Sequence, residues 1–312
     1  MVKCGMILCK KCHNPVNTKD SSYICSSCNF QYITKDGITT FSDIGGTVNN
    51  YFSKDTFEKV FRYESTSFWY RVRNQIICQT IKKYLSQPAE IIEVGCGTGY
   101  VATAIRGLGY TVDCADPYFD ALSFCKIRNA GRSFFQLNLE DAVFFEEYGG
   151  VGAFDVLEHI ENDNTALKNM YHLLKDGGYA FITVPACKSL WSAGDVIAEH
   201  KRRYTYSELE ERVTHAGFQV SRITYFMTFL FPAYFIISKC SGNWSGSDST
   251  SPAAKERWFS QFNPNPILNT VLYFIFGIEP IFLRYLNFPL GSSLLCVARK
   301  NVSLSDKEKT IK

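Results

Sequence analysis

The chain is expected to fold as an α/β protein around a doubly wound sheet of seven strands. From Glu90 onward, short β-branched and aromatic runs alternate with helix-period segments, the pattern of strands joined by crossover helices. The runs are EIIEVG, TVDCAD, SFFQLNL, GVGAF, YAFITVP, FQVSRITY and, much later, SSLLCVAR. The first of them ends in a glycine-rich turn, IIEVGCGTGY, where strand gives way to helix. The expected division is a cysteine module over 1–42, a helical linker or cap over 43–87, the main domain over 88–300 with an apolar insert at 225–290, and a solvated tail over 301–312.

Composition narrows the class before any motif is read. A chain of 312 residues that is 46% hydrophobic and 20% charged can bury a large core, which excludes a disordered or fibrous protein. Its formal net charge of +3 does not by itself imply a nucleic-acid partner. The opening MVKCGMILCKKC lacks the apolar run of a signal peptide, so a cytoplasmic, reducing setting is expected. In that setting Cys9, Cys12, Cys25 and Cys28, two C-x2-C pairs, read as four thiolates around a structural zinc rather than as disulfides. Four thiolates leave no open position, so this zinc is expected to fold the module and not to catalyse. The segment FQYITKDGITTF that follows reads as a hairpin. The remaining eight cysteines are scattered singly and read as ordinary thiols.

The glycine turn carries the sharpest chemical signal. Gly95, Gly97 and Gly99 sit where backbone must approach a ligand without interference from Cβ, Glu93 precedes them, and Asp116 ends the next strand, where a carboxylate can take two ribose hydroxyls. A nicotinamide fingerprint would place its third glycine at Tyr100. The E-x-G-x-G-x-G form resembles instead the class I S-adenosylmethionine-dependent methyltransferases. The stretches FDVLEHIENDNTALKNMYHLLKDGGYAFITVPACKSLWS and EHKRRYTYSELEERVTHAGFQV are similar to the ubiquinone-biosynthesis O-methyltransferases, over roughly Phe68 to Arg299. That resemblance implies a Rossmann-like sheet with its last strand antiparallel and S-adenosylmethionine at the strand C-termini. It further implies Gly95, Gly97 and Gly99 near the methionine part, Asp116 at the ribose, and Asn138 and Leu139 at the adenine, with Glu93, Cys96 and Phe154 also among the cofactor-binding residues. Asn138 stands where the family usually has Asp, and Gly149 where an Asp commonly opens the fourth strand.

FDVLEHIEND, just beyond that strand, gathers Asp155, Glu158 and His159. On a helix these i, i+3 and i+4 positions would share a face, and His200 would join them from the loop after the fifth strand. Small-RNA 2'-O-methyltransferases and some ubiquinone-pathway enzymes resemble this arrangement, with E-x-x-E-H and a later His around a divalent ion. The expectation is that Asp155, Glu158, His159 and His200 bind Mg²⁺ or another divalent ion, which orients an acceptor hydroxyl and lowers its pKa. Two alternatives stand beside it: His159 or His200 as a metal-free general base, and carboxylates that merely cap a helix while His159 packs.

The acceptor is read from the insert. ITYFMTFLFPAYFIIS and ILNTVLYFIFGIEPIFLRYL are unusually apolar; the first is short for a membrane span, and Glu279 and Pro280 interrupt the second. Interfacial helices or a greasy cover fit better, hence a small-molecule, lipid-linked or glycan-type acceptor and peripheral membrane contact. Lys201, Arg202 and Arg203 could meet an anionic group or simply be solvated, and Trp244 and Trp258 could anchor at an interface or pack locally. The runner-up acceptor is RNA, since some ribosomal-RNA methyltransferases resemble this pairing of a cysteine ribbon with such a domain. In that reading Tyr23, Phe30 and Tyr32 would stack bases. A non-catalytic scaffold ranks last, because the glycines and Asp116 are all present.

Overall fold

The computed structural model describes residues 6–17, 23–42, 52–141, 144–145, 147–232, 235–236, 256 and 265–302. Trp244, Trp258, Cys4, Cys240 and the tail beyond 302 lie outside the described residues.

Each expected run is a strand: β6 (Glu90–Val94), β7 (Thr111–Asp116), β8 (Phe134–Gln136), β10 (Tyr148–Phe154), β11 (Leu174–Pro185), β12 (Gln219–Phe226) and β13 (Ser293–Arg299). Their order across the sheet is β12-β13-β11-β10-β6-β7-β8. β10 pairs parallel with β6 and β11, whereas β13 runs antiparallel to both β11 and β12, the α/β methyltransferase-like topology that was expected. Ile91, Ile92, Val151, Phe181 and Ile182 are fully buried, because helices cover both faces of such a sheet. The crossovers include α3 (Tyr100–Gly107), α4 (Phe119–Ile127), α5 (Asp163–Leu173), the short α6 (Ala193–Ile197) and α7 (Tyr206–His215). Thr205 and Glu208 close a capping box at the start of α7.

One element was not legible in the sequence: among the described residues the sheet has nine strands, not seven. The amino-terminal hairpin β4 (Ile33–Lys35) and β5 (Ile38–Thr40) continues it, with Ile38, Thr39 and Thr40 pairing parallel to Phe134, Phe135 and Gln136. The hairpin itself follows from Asp36-Gly37, both at positive φ (50° and 73°), as a tight two-residue turn demands. The cysteine module before it, with β1 (Met6–Ile7), β2 (Val16–Asn17) and β3 (Ile24–Cys25), is also tied on, since β1 pairs with β9 (Phe144–Phe145). Tyr32 is buried, and Tyr23 packs edge-on against Phe41 and Phe135. Two of the three rings that base stacking would need are therefore engaged in internal packing.

Before the sheet come α1 (Lys54–Tyr63) and α2 (Phe68–Tyr84). Ser53 caps α1 through Thr56 N. Between β12 and β13 the chain forms α8 (Pro266–Phe276), with Asn265 as its cap, and the short α9 (Glu279–Leu283). Phe68, Val72 and Ile76 of α2 share a buried cluster with Phe226, Met227, Phe276 and Leu283. Pro185, Ser293 and Phe226 lie level in register, so the insert leaves the sheet at the end where β11 and β12 finish.

Candidate active site and cysteine centre

The glycine turn lies between β6 and α3, with Gly95, Gly97 and Gly99 at φ 65°, 54° and 79°. A Cβ on Gly95 would lie 2.5 Å from Val156 Cγ2, and one on Gly99 would lie 2.5 Å from Cys125 Sγ. Packing therefore requires both glycines. A Cβ on Gly97 would meet nothing within 4 Å, so this residue borders open space. Asp116 accepts hydrogen bonds from Gly97 N (2.9 Å) and Tyr118 N (2.8 Å), and burial pushes its pKa up to about 7. Glu93 is buried with one carboxylate oxygen lacking a partner, and burial holds its pKa well above the usual range.

Other residues expected near a cofactor turn their side chains inward. Phe154 and Cys96 pack in one buried cluster and Leu139 in another. The Leu139 carbonyl accepts from Asn169 Nδ2 (2.8 Å), and Asn138 Oδ1 accepts from Glu140 N (3.1 Å).

The segment after β10 does not form the expected helix. Asp155 has φ 59°, Leu157–His159 make a single 3-10 turn, and α5 starts only at Asp163 with Asn162 as its cap. Helical i, i+3, i+4 geometry does not hold, and the structure divides the four expected ligands. Glu158, His159 and His200 converge, each offering a ligand atom within 4.8 Å of the others, and Asp155 is not among them. Asp155 accepts from Thr183 Oγ1 (3.0 Å) and pairs with Arg73 of α2 (2.7 Å). Neither Asp155 nor Glu158 caps α5, so the reading of both as helix caps fails.

Glu158 is fully buried, and neither of its oxygens has a hydrogen-bond partner. Burial, reinforced by the charge of Asp155, holds its pKa well above the usual carboxylate range. His159 Nδ1 is likewise buried and unpartnered, while its other ring nitrogen donates to the Glu199 backbone carbonyl. Burial, with His200 nearby, lowers its pKa to about 3, so the ring is neutral at pH 7 with a lone pair free at Nδ1. His200 Nδ1 meets Asp195 Oδ1 at 2.8 Å, which orients the opposite ring nitrogen toward the cluster. Asp195, itself buried, accepts from Ser192 N (2.8 Å) and Arg203 Nε (2.8 Å). The loop is further pinned by Lys201 N donating to the Glu158 carbonyl at 2.7 Å.

The basic triplet is thereby accounted for. Lys201 pairs with Glu161, Arg202 with Asp163, and Arg203 with Asp195. Sequence reasoning missed Asp195 and Phe52. The Phe52 ring stacks on Tyr118 (4.8 Å) and stands edge-on to His159 (5.3 Å), which links the ends of β7 and β10. Asp195 had one sequence signal, the Ser192-x-x-Asp195 capping box; Phe52 had none. Helix α1 is clamped to the glycine turn, since Thr98 Oγ1 donates to buried Glu64, which also pairs with Arg128 at 2.9 Å.

At the amino-terminal end, Cys9 and Cys28 sulfurs are 3.7 Å apart, Cys12 and Cys25 sulfurs 3.4 Å, and all four lie within 4.8 Å. Zn–S bonds of ~2.3 Å in a tetrahedron separate sulfurs by about 3.8 Å, so the four thiols have the spacing that such an ion requires. A hydrogen bond from the Asn14 backbone is the largest influence on Cys12, whose pKa is lowered to about 6.

Residues 68–223, half of the chain, match the sequence profile of the methyltransferase domain, and the chain belongs to that family. Among its curated relatives are the ubiquinone biosynthesis O-methyltransferases of Rickettsia canadensis and Rickettsia bellii. The first is 26% identical over 151 residues, 43% of this chain and 64% of the relative. The second is 27% identical over 136 residues, 41% of this chain and 57% of the relative. The chain thus spans less than two thirds of the length of either. Among solved structures it shares its fold with phosphoethanolamine N-methyltransferase 2 of Haemonchus contortus in complex with S-adenosyl-L-methionine. The TM-score is 0.53 at 15% identity, covering 81% of this chain and 58% of that one.

Proposed function

We propose that the chain transfers a methyl group from S-adenosylmethionine to a hydroxyl of a small or lipid-linked acceptor, with a divalent ion held by Glu158, His159 and His200. The observation that carries this reading is the convergence of those residues beyond β10, with both Glu158 oxygens and His159 Nδ1 buried and unpartnered. Burying a carboxylate with no donor is costly, and a cation is the partner this set of atoms fits. The carboxylate held by Asp195 behind His200 is the arrangement that orients a histidine toward a metal. One carboxylate with two imidazoles suits manganese, iron or zinc better than magnesium, which prefers oxygen donors. Such an ion would supply positive charge that lowers the pKa of an acceptor hydroxyl.

The chain's own groups do the rest. Gly97 and its neighbours leave room for the methionine part, Asp116 takes the ribose hydroxyls, and backbone at Asn138 and Leu139 borders the adenine. Asp155, fixed by Arg73 and Thr183, lines the same end of the sheet. The acceptor oxygen attacks the methyl carbon as the carbon–sulfur bond breaks. The sulfonium becomes neutral S-adenosylhomocysteine, and one proton is released to solvent. Hydroxyl acceptors are favoured because the curated relatives are named O-methyltransferases. The four-cysteine module over 1–42 is read as a zinc-held brace for the edge of the 88–300 domain, within a reducing, cytoplasmic setting.

The experiment that tests this reading is transfer of tritiated methyl from S-adenosylmethionine to pooled phenolic and lipid-linked hydroxyl acceptors, before and after chelation. Activity should disappear with chelator and return with added Mn²⁺. Transfer that is indifferent to chelator and to added ion would remove the ion from the account. A second expectation concerns Asp116. Ribose hydroxyls bind its ionised form, so binding lowers its pKa and releases protons. Affinity for S-adenosylhomocysteine should therefore rise as pH climbs through about 7. Calorimetry at roughly pH 6 and pH 8 should show the rise in the native chain and a weaker, flat response in Asp116→Asn.

A further inference from the structure

The insert carries an apolar face for which the methyl-transfer reading has no use. Ile267, Val271 and Phe274 of α8 and Ile278 in the turn after it follow the i, i+4, i+7, i+11 spacing of one helical stripe, and they are 80%, 47%, 68% and 48% exposed. Ile281 of α9 (60%) and Tyr285 just past it (75%) continue the stripe. The opposite side of α8 is already occupied. Phe276 stacks on Phe68 of α2 at 5.5 Å, Tyr273 Oη accepts from Gln75, and Asn269 Oδ1 accepts from Phe68 N. The stripe is thus not a core face that happens to be uncovered.

We infer that this face docks on a lipid bilayer that contains anionic lipids, with α8 lying in the plane of the interface. Charge is the first argument. Between Pro266 and Leu290 the charged residues are Glu279 and Arg284. Glu279 is fully buried and accepts from Thr228 N, so no carboxylate from this segment meets the surface. Arg284 sits at the end of the stripe beside Lys83, whose Nζ donates to the Arg284 carbonyl at 3.2 Å, with exposed Lys82 in the same turn. An uncharged apolar strip with a cationic end matches acyl chains below and anionic headgroups beside them. Packing is the second argument. By length and composition alone Pro266–Leu283 could cross a membrane, but Asn269, Tyr273 and Phe276 hold one side of it against α2 and its Glu279 is buried against Thr228. The face therefore enters an interface and does not cross it. Tyr285, exposed beside Arg284, has the amphipathic ring found at headgroup depth.

The docking also deepens the proposed function. Helix α2 touches α8 through Phe68 and reaches the site through Arg73, bound to Asp155. One helix layer separates the bilayer from the reacting centre, so a lipid-linked acceptor would be taken from the membrane surface. That part rests on the methyl-transfer reading; the docking face does not.

The test is flotation of the full chain with vesicles of phosphatidylcholine alone and of phosphatidylcholine with phosphatidylglycerol. The chain should float with the mixed vesicles and much less with the neutral ones. Joint substitution Phe274→Glu and Ile281→Glu should cut the bound fraction on the order of tenfold or more, because two carboxylates would have to enter the interface. Lys83→Glu should remove only the preference for anionic vesicles. S-adenosylhomocysteine titration serves as the fold control, and its failure alongside intact flotation would count against the methyltransferase reading and not against docking. A native chain that stays unbound with both vesicle types overturns the inference. So does a dimer that Phe274→Glu converts to monomer while neither form floats, which would assign the face to a second copy of the chain.

Discussion

Glu158→Gln is expected to lower methyl transfer by at least about a hundredfold, more than the roughly 10- to 100-fold attached to groups that merely support a metal ligand. It should do so without destabilising the ion-free protein. Both native oxygens are buried and lack donors, so a neutral amide of the same shape removes a desolvation penalty and leaves packing alone. Loss of turnover with an unchanged or higher melting temperature, and unchanged S-adenosylhomocysteine affinity, is the combined signature. A variant that loses activity and stability together would make Glu158 a structural residue. Asp195→Asn supplies the graded comparison: the His200 ring loses its carboxylate partner, and ion affinity should fall about 10- to 100-fold.

The second large effect is expected at the cysteines. Purified chain should carry about one zinc, and Cys9→Ser or Cys25→Ser should lose it. Structural zinc is worth on the order of 10 kcal/mol in small modules. Only part of that reaches the whole chain, yet a loss of a few kcal/mol lowers the melting temperature by roughly 10 °C in a domain of this size. The more specific readout is hydrogen exchange. Because β5 pairs with β8, amides of Ile38, Thr39 and Thr40 should lose protection along with the module, and the sheet edge at Phe134–Gln136 should loosen. Unchanged protection there on zinc loss would mean the hairpin is held by its aromatic packing alone.

The contrast between these two sites shows which parts of the structure sequence can express. The strands of the main sheet were legible because a buried parallel strand needs a continuous apolar run, and each run carries that requirement locally. The Asp36-Gly37 turn was legible for the same reason, since two consecutive positive φ values restrict residue choice. The β5–β8 pairing was not, because three-residue strands nearly a hundred positions apart leave no local trace of their register. At the candidate site, residue types identified Glu158, His159 and His200, but a helical face was the wrong route to them. Asp155 at φ 59° turns the chain before a single 3-10 turn forms, so Asp155 swings to Arg73 while His200 comes in through Asp195. Loop geometry of this kind is set by tertiary hydrogen bonds such as Lys201 N to the Glu158 carbonyl, which have no periodicity to read.

The most direct test of the central claim is electron paramagnetic resonance of Mn²⁺ added to chelator-treated, zinc-replete chain, with and without S-adenosylhomocysteine. The account predicts one bound Mn²⁺ per chain, coupled to the nitrogens of His159 and His200 and absent in Glu158→Gln. Intact S-adenosylhomocysteine binding with only the free, hydrated Mn²⁺ signal would contradict it.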